Sequence, residues 1–206
     1  MKRLITFFIA LAGTLAAMAQ TPEEIISRME AKMDSYENTG IVMTMDMKIP
    51  ILGTFSMKNY ALGDKTYSQG SMLGHEVRIW TDGDISWTYD SDDNTITIEK
   101  SSSKDSSKEG DAKMFSNITD GYDVSIKKET ATEWQINCRK SRSNTNKDDP
   151  RTMTLVVAKE TYNPVSLSAT MSGVTVKMHE LSFGVTPEQV AFDQARFPDA
   201  TVIDKR

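Results

Sequence analysis

From Ile41 to Phe183 the chain keeps returning to a two-residue period, and that alternation limits the possible folds more than any other feature of the sequence. Ile41, Met43, Met45, Met47 and Ile49 alternate with Val42, Thr44, Asp46 and Lys48, as a strand with one buried face requires. Phe55 and Met57 continue the pattern, and shorter alternating pieces follow at 66–69, 77–80, 85–89 and 95–99. Gly53, Gly63-Asp64, Gly70, Asp82-Gly83 and Asp92-Asp93-Asn94 punctuate them with residues that favour turns. The second half alternates again through Tyr122, Val124, Ile126; Trp134, Ile136, Cys138; Met153, Leu155, Val157; Val165, Leu167, Ala169, Met171; and Val174, Val176, Met178. Residues 141–150 read as a long hairpin tip and Ser172-Gly173 as a tight two-residue one. Parallel neighbours need a crossover of about a dozen residues or more. No helix of that length separates the strands, so the expected sheet is an antiparallel meander.

Three segments stand outside the alternation. Thr21-Pro22-Glu23-Glu24 starts a helix: threonine caps, proline takes the first helical position, and Glu24 closes a capping box. Ile25, Ile26, Met29, Met33 and Tyr36 follow at helical spacing, which predicts an amphipathic helix over 22–36, ended by Asn38 and Gly40. Residues 101–111 are a polar run of low complexity, read as a mobile loop. Behind it, Met114, Phe115 and Ile118 give residues 112–118 one apolar helical face. The closing stretch from Phe192 to Arg206 is expected to be an irregular tail, pinned to the sheet by Phe192, Phe197, Val202 and Ile203.

The opening residues read as an address. Lys2 and Arg3 precede an apolar run from Leu4 to Leu15, and Ala17-Met18-Ala19 offers a small-x-small cleavage site. The run is too short for a membrane span. The expectation is an exported protein, with residues 1–19 a cleaved signal peptide and 20–206 a single soluble, monomeric domain in the periplasm. Cys138 is the one cysteine, so neither an internal disulfide nor a lipid anchor at the cleavage site is available. Its place in an alternating stretch marks it as a small buried strand residue. The chain carries 24 Lys and Arg against 29 Asp and Glu. That balance argues against nucleic acid and against an anionic membrane as partner.

Catalytic patterns are missing. His75 and His179 lie far apart, with no metal-binding spacing around them. There is no glycine-rich phosphate loop and no nucleophile elbow. Asp90, Asp92 and Asp93 sit where a turn wants aspartate for backbone bonding. The expectation is a protein that is not an enzyme and uses no cofactor or metal. Methionine is the unusual count, at 13. Several share a strand face or the helix stripe, where a flexible, polarizable side chain fills irregular space or adapts to ligands of varied shape.

The order of elements, together with Thr81-Asp82-Gly83-Asp84-Ile85-Ser86-Trp87-Thr88-Tyr89-Asp90 and Thr95-Ile96-Thr97, resembles the LolA-like family of periplasmic outer-membrane lipoprotein carriers. The segment from Phe192 to Ile203 is similar to that family's closing segment. The resemblance implies an α+β, mainly β fold: a strongly curved antiparallel sheet, an unclosed barrel, with helices covering its concave apolar face. It implies that lipoprotein acyl chains or another lipid enter that hollow, brought by an inner-membrane lipoprotein-releasing transporter and passed to an outer-membrane receptor. The wall is then expected at Met43, Met45, Met47, Phe55, Met57, Ile79, Trp87, Met153, Leu155, Leu167 and Met178. The lid is expected at Met29, Met33, Met114, Phe115 and Ile118. The family's latching arginine after the second strand has no counterpart in Lys58-Asn59-Tyr60-Ala61-Leu62, where Lys58 is the candidate substitute. A periplasmic sensor of lipids or lipoproteins is the alternative reading; an enzyme of the lipid envelope fits the missing nucleophile and metal patterns poorly.

Overall fold

The computed structural model describes residues 20–36, 38–72, 74–101 and 115–206. The expected signal peptide, residues 102–111 of the expected loop and lid residue Met114 lie outside them, as do residues 112–113 at the start of the helix expected at 112–118. Its described end, Phe115 onward, is a turn leading into the next strand.

The first element is helix α1 (Pro22–Asp34), followed by strands β1 (Ile41–Ile49), β2 (Gly53–Leu62), β3 (Lys65–Met72), β4 (His75–Thr81), β5 (Ile85–Asp90) and β6 (Thr95–Lys100). A second series comprises β7 (Tyr122–Glu129), β8 (Glu133–Lys140), β9 (Thr152–Ala158), β10 (Pro164–Met171) and β11 (Val174–Phe183). The chain closes with a one-turn helix, α2 (Pro187–Val190), a 3-10 turn at Gln194–Arg196, and β12 (Thr201–Asp204).

All twelve strands form one sheet in the order β12-β6-β5-β4-β3-β2-β1-β11-β10-β9-β8-β7. It does not close into a barrel: β12 and β7 are its edges. Two antiparallel meanders, β1 to β6 and β7 to β11, are joined by the antiparallel pairing of β1 with β11. The tail ends differently from the sequence expectation. Val202 and Ile203 belong to a strand that pairs parallel with β6, opposite Ile96 and Thr97, so the closing segment extends the sheet as well as covering it.

The helix begins as its sequence requires. The Glu24 N–H donates to the Thr21 hydroxyl at 3.2 Å, and the Thr21 N–H donates to the Glu24 carboxylate at 3.3 Å. Together they satisfy two of the donors a helix start leaves open. Asn38 and Gly40 both adopt left-handed backbone, at φ 68° and 72°. At Gly40 there is also no room for a side chain: a Cβ would lie 2.6 Å from Val185 Cβ, because the tail crosses the sheet at that point.

Register shows that the apolar side of the sheet changes face along its width. In β7 to β11 one face carries the rows Ile126–Ile136–Leu155–Leu167–Met178 and Val124–Cys138–Met153–Ala169–Val176. Helix α1 packs on this face, burying Ile25, Ile26, Met29 and Met33 with Phe115, Trp134, Ile136 and Leu155. In β2 to β6 the opposite face is the greasy one, with Tyr60, Tyr67, Trp80, Trp87 and Ile98 aligned across successive strands. The tail covers it, seating Val185, Val190, Phe192 and Phe197 on these rings. We refer to the two sides as the helix face and the tail face. An edge-to-face contact of Trp80 with Phe192 and a stacked one of Trp87 on Phe192, at 5.4 and 5.2 Å between centroids, hold the second core together.

Candidate functional site

The two apolar rows do not stop at β11. Met178 stands opposite Met45, Met45 opposite Met57, and Met57 opposite Gly70. One step nearer the hairpin tips, Val176 stands opposite Met47 and Met47 opposite Phe55. The helix face therefore runs without interruption from the core under α1 onto β11, β1 and β2.

Burial falls along that path. Ile136, Cys138 and Leu155 are fully buried, and Met153 and Leu167 nearly so. Met178, Val176, Met45, Met57 and Phe55 are half-buried, and Met47 is 38% exposed. Within β1 alone, Ile41 and Met43 are buried beneath α1 while Met45 and Met47 emerge from it. Gly70 closes the row: a Cβ there would meet Met57 Cγ at 2.8 Å, so the missing side chain lets Met57 lie across the neighbouring strand. Beyond it the helix face turns small and polar, with Thr66, Ser68, Thr81, Ser86, Thr88 and Thr97, and with Val77 and Ile79 as aliphatic exceptions. The open apolar surface is thus a patch centred on β1, whose flexible methionines can follow the contour of whatever lies on them.

Of the expected wall, Met43, Met45, Met47, Phe55, Met57, Met153, Leu155, Leu167 and Met178 share this face. Ile79 lies on it two strands from Met57, level with Asn59 and Ser68. Trp87 does not. It stands opposite Trp80 and Ile98 on the tail face, stacked on Phe192, so it belongs to the second core. Of the expected lid, Met29, Met33 and Phe115 are fully buried against the helix face, and Ile118 is partly buried in the same cluster.

The polar groups that hold α1 were not legible from the sequence. Lys58 cannot do so: it pairs with Thr44 and Gln69 on the tail face, its ammonium 5.5 Å from the Tyr60 ring centroid. Instead Arg28 Nη1 donates to the Tyr162 hydroxyl at 3.0 Å, and Gln20 Nε2 donates to the same oxygen at 2.8 Å. Tyr162 sits in the loop between β9 and β10 at φ 58° and packs its ring near Trp134. At the other end of α1, Tyr36 stacks on Phe183 with centroids 3.9 Å apart. Midway, Glu30 accepts from the Asn117 N–H at 3.1 Å, tying the helix to the turn that carries Phe115. Burial raises the Glu30 carboxyl above its ordinary value, partly offset by that hydrogen bond. The one sequence signal was Arg28, a lone arginine on the helix; nothing marked its partner.

The clefts near this face differ in character. A groove of about 320 Å³ runs between α1 and β7, lined by Ile26, Tyr122 and Val124 with Glu23, Ser27 and Glu30. A larger one of about 640 Å³, beside the 141–151 loop, is lined by Lys147, Asp148, Asp149 and Arg151 on one side and by Thr170 and Met171 on the other, and is mainly charged. Among the described residues His75 faces Asp92 at 3.1 Å and His179 faces Asp46 at 2.9 Å. Among the described residues no group of three or more His, Cys, Asp or Glu is arranged to hold a metal ion, and no helix is long and apolar enough to cross a membrane.

Neither a protein-family model nor a curated protein matches the sequence. Solved structures do match in fold. LprF from Mycobacterium bovis is 8% identical, with a TM-score of 0.51 over 82% of this chain and 96% of its own. An uncharacterized conserved protein from Thermus thermophilus is 16% identical, with a TM-score of 0.47 over 89% of this chain and 98% of its own. A LolA superfamily protein from Nitrosomonas europaea is 11% identical, with a TM-score of 0.36 over 86% of this chain and all of its own. Of these three, LprF is the one with a TM-score above 0.5, and what it shares with this chain is the fold.

Proposed function

We propose that the protein is a periplasmic carrier that shelters the acyl chains of a lipoprotein on its helix face during transfer from inner to outer membrane. The observation that carries this reading is the continuous apolar row from Leu155 through Leu167, Met178 and Met45 to Met57, buried under α1 at one end and open at the other. The export-like start of the sequence supports the compartment. An inner-membrane lipoprotein-releasing transporter and an outer-membrane receptor are the partners such a route needs.

The energetics favour a reversible load. Hiding one methylene from water is worth about 0.8 kcal/mol, so a chain of roughly fifteen methylenes gains about 12 kcal/mol. Lifting Ile25, Ile26, Met29 and Met33 of α1 off the sheet costs about 1.5–3 kcal/mol each, or roughly 6–12 kcal/mol in all. The difference, about 0–6 kcal/mol, is well below the full hydrocarbon gain. An acyl chain that takes the place of the helix stripe is held, yet it leaves when an acceptor offers an equally dry surface.

Titration with a fluorescent fatty acid or lipopeptide tests the proposal. Wild type should show saturable uptake, and Met45→Asp, which puts a carboxylate in the middle of the half-exposed row, should lower affinity at least about tenfold in a folded protein. No uptake by wild type, or unchanged uptake by the folded variant, would remove the basis for the carrier reading.

A further inference from the structure

Two hairpin tips beside the open end of the helix face carry apolar side chains into water. Pro50, Ile51 and Leu52 make the turn between β1 and β2, and Met171 ends β10 at the next hairpin along that edge. Ile51 is 105% exposed, Leu52 59% and Met171 45%. The tips adjoin: a Cβ at Gly173 would lie 3.8 Å from Pro50 Cγ. Met47, on the same side, links them to the apolar rows.

Ile51 is doubly out of place. Its φ is 73°, a left-handed conformation in which a β-branched side chain crowds the backbone and where glycine or asparagine is ordinary. Folding gives it neither burial nor a relaxed backbone. An exposed, strained aliphatic residue at an apex points to something outside the chain that receives it.

We propose that the Pro50–Leu52 finger inserts into the hydrocarbon of a lipid bilayer, with Met171, which borders the charged 147–151 loop, left at the bilayer surface, and so sets the open end of the helix face at the membrane. The docking stands on the tips alone; that it delivers an acyl chain rests on the carrier reading. A bilayer fits better than a protein partner. A stable protein interface takes about 800 Å² from each side, with matching shape, and a few side chains on adjoining turns do not offer that. Fluid hydrocarbon receives protruding aliphatic groups without a preformed pocket. With a formal net charge of −5, attachment depends on apolar insertion and not on anionic headgroups.

Flotation of the purified chain with small phosphatidylcholine vesicles tests this, comparing wild type with the double variant Ile51→Asn, Leu52→Asn. Asparagine suits a left-handed turn, so the variant's melting temperature should stay level or rise. Wild type should float with the vesicles, little changed by added salt. The variant should lose at least about tenfold in vesicle affinity while its uptake of a soluble fluorescent fatty acid is unchanged. Absence of wild-type flotation, or equal flotation of the variant, overturns the inference. So does a shift from dimer to monomer in the variant by sedimentation, which would assign the tips to a second copy of the chain. Loss of fatty-acid uptake together with flotation overturns it too, by making the tips part of the binding surface. Finger-dependent flotation by a protein that takes up no fatty acid supports the docking and removes the carrier reading instead.

Discussion

If an acyl chain and α1 compete for the same surface, loosening the helix should tighten the ligand while it weakens the fold, and Met29→Ala separates those two effects. Met29 has no exposed surface and lies in the centre of the helix stripe, in one buried cluster with Ile136, Leu155 and Leu167. Truncating a buried methionine to alanine costs about 2–5 kcal/mol. Taking about 3 kcal/mol, a domain of this size should melt roughly 6–12 °C lower. The same 3 kcal/mol is subtracted from the work of lifting α1, so affinity for a fluorescent fatty acid should rise, by up to roughly 150-fold if the whole loss is felt in that step. Thermal unfolding and ligand titration on one preparation give both numbers. Trp80→Ala is the control: its side chain is 1% exposed in the tail-face core, and removing it costs about 3–5 kcal/mol on a surface the ligand does not touch. It should lower stability and leave affinity alone. A Met29→Ala protein that is less stable but binds no better, or one matched by Trp80→Ala in both readouts, would refute competition between helix and ligand.

Two further outcomes follow from the titratable groups. Asp46 on β1 is held below its ordinary value of 3.8, first by a hydrogen bond from the Ser56 hydroxyl and then by His179, against the opposing effect of partial desolvation. Its contribution to stability is therefore complete above that ordinary value and disappears as pH falls through the lower folded value. Denaturation of wild type and Asp46→Asn from about pH 5 to pH 2 should show a difference at the upper end that closes toward the lower. Cys138 is fully buried in β8, and burial pushes its thiol up to about 11. Native protein at pH 8 should leave a thiol reagent unreacted until denaturant is added, and rapid labelling of the native state would contradict the packing of the helix-face core.

Much of the architecture was legible because period two survives in each strand: Ile85, Trp87 and Tyr89 alternate with Ser86, Thr88 and Asp90 as cleanly as Met43, Met45 and Met47 do with their neighbours. What alternation does not carry is phase between strands. β1 is apolar on both sides at its start, with Val42 facing the tail and Ile41 and Met43 facing the helix, so the chain can pass its greasy side from one face to the other there without a mark in the pattern. Trp87 alternates like the methionine wall for that reason, although register sets it on the far side. The pairing of β1 with β11 likewise joins segments more than a hundred residues apart that share no local signal. The parallel β12 is four residues long, too short for periodicity to separate from a tail. The cap of α1, the left-handed Asn38 and Gly40, and the buried stripe from Ile25 to Met33 needed only local chemistry and were readable. The hold of Tyr162 on Arg28 and Gln20 depended on where a distant loop lands.

Quenching of tryptophan emission by a brominated fatty acid tests the central claim most directly, because the three tryptophans are divided between the two cores. Trp134 lies in the helix-face cluster, while Trp80 and Trp87 lie under the tail on the other side. Saturable quenching that disappears in Trp134→Phe is the result expected of hydrocarbon lying on the helix face. Quenching that persists undiminished in that variant would place the ligand against the other core, and an emission spectrum that never responds would mean the apolar rows hold nothing but the protein's own side chains.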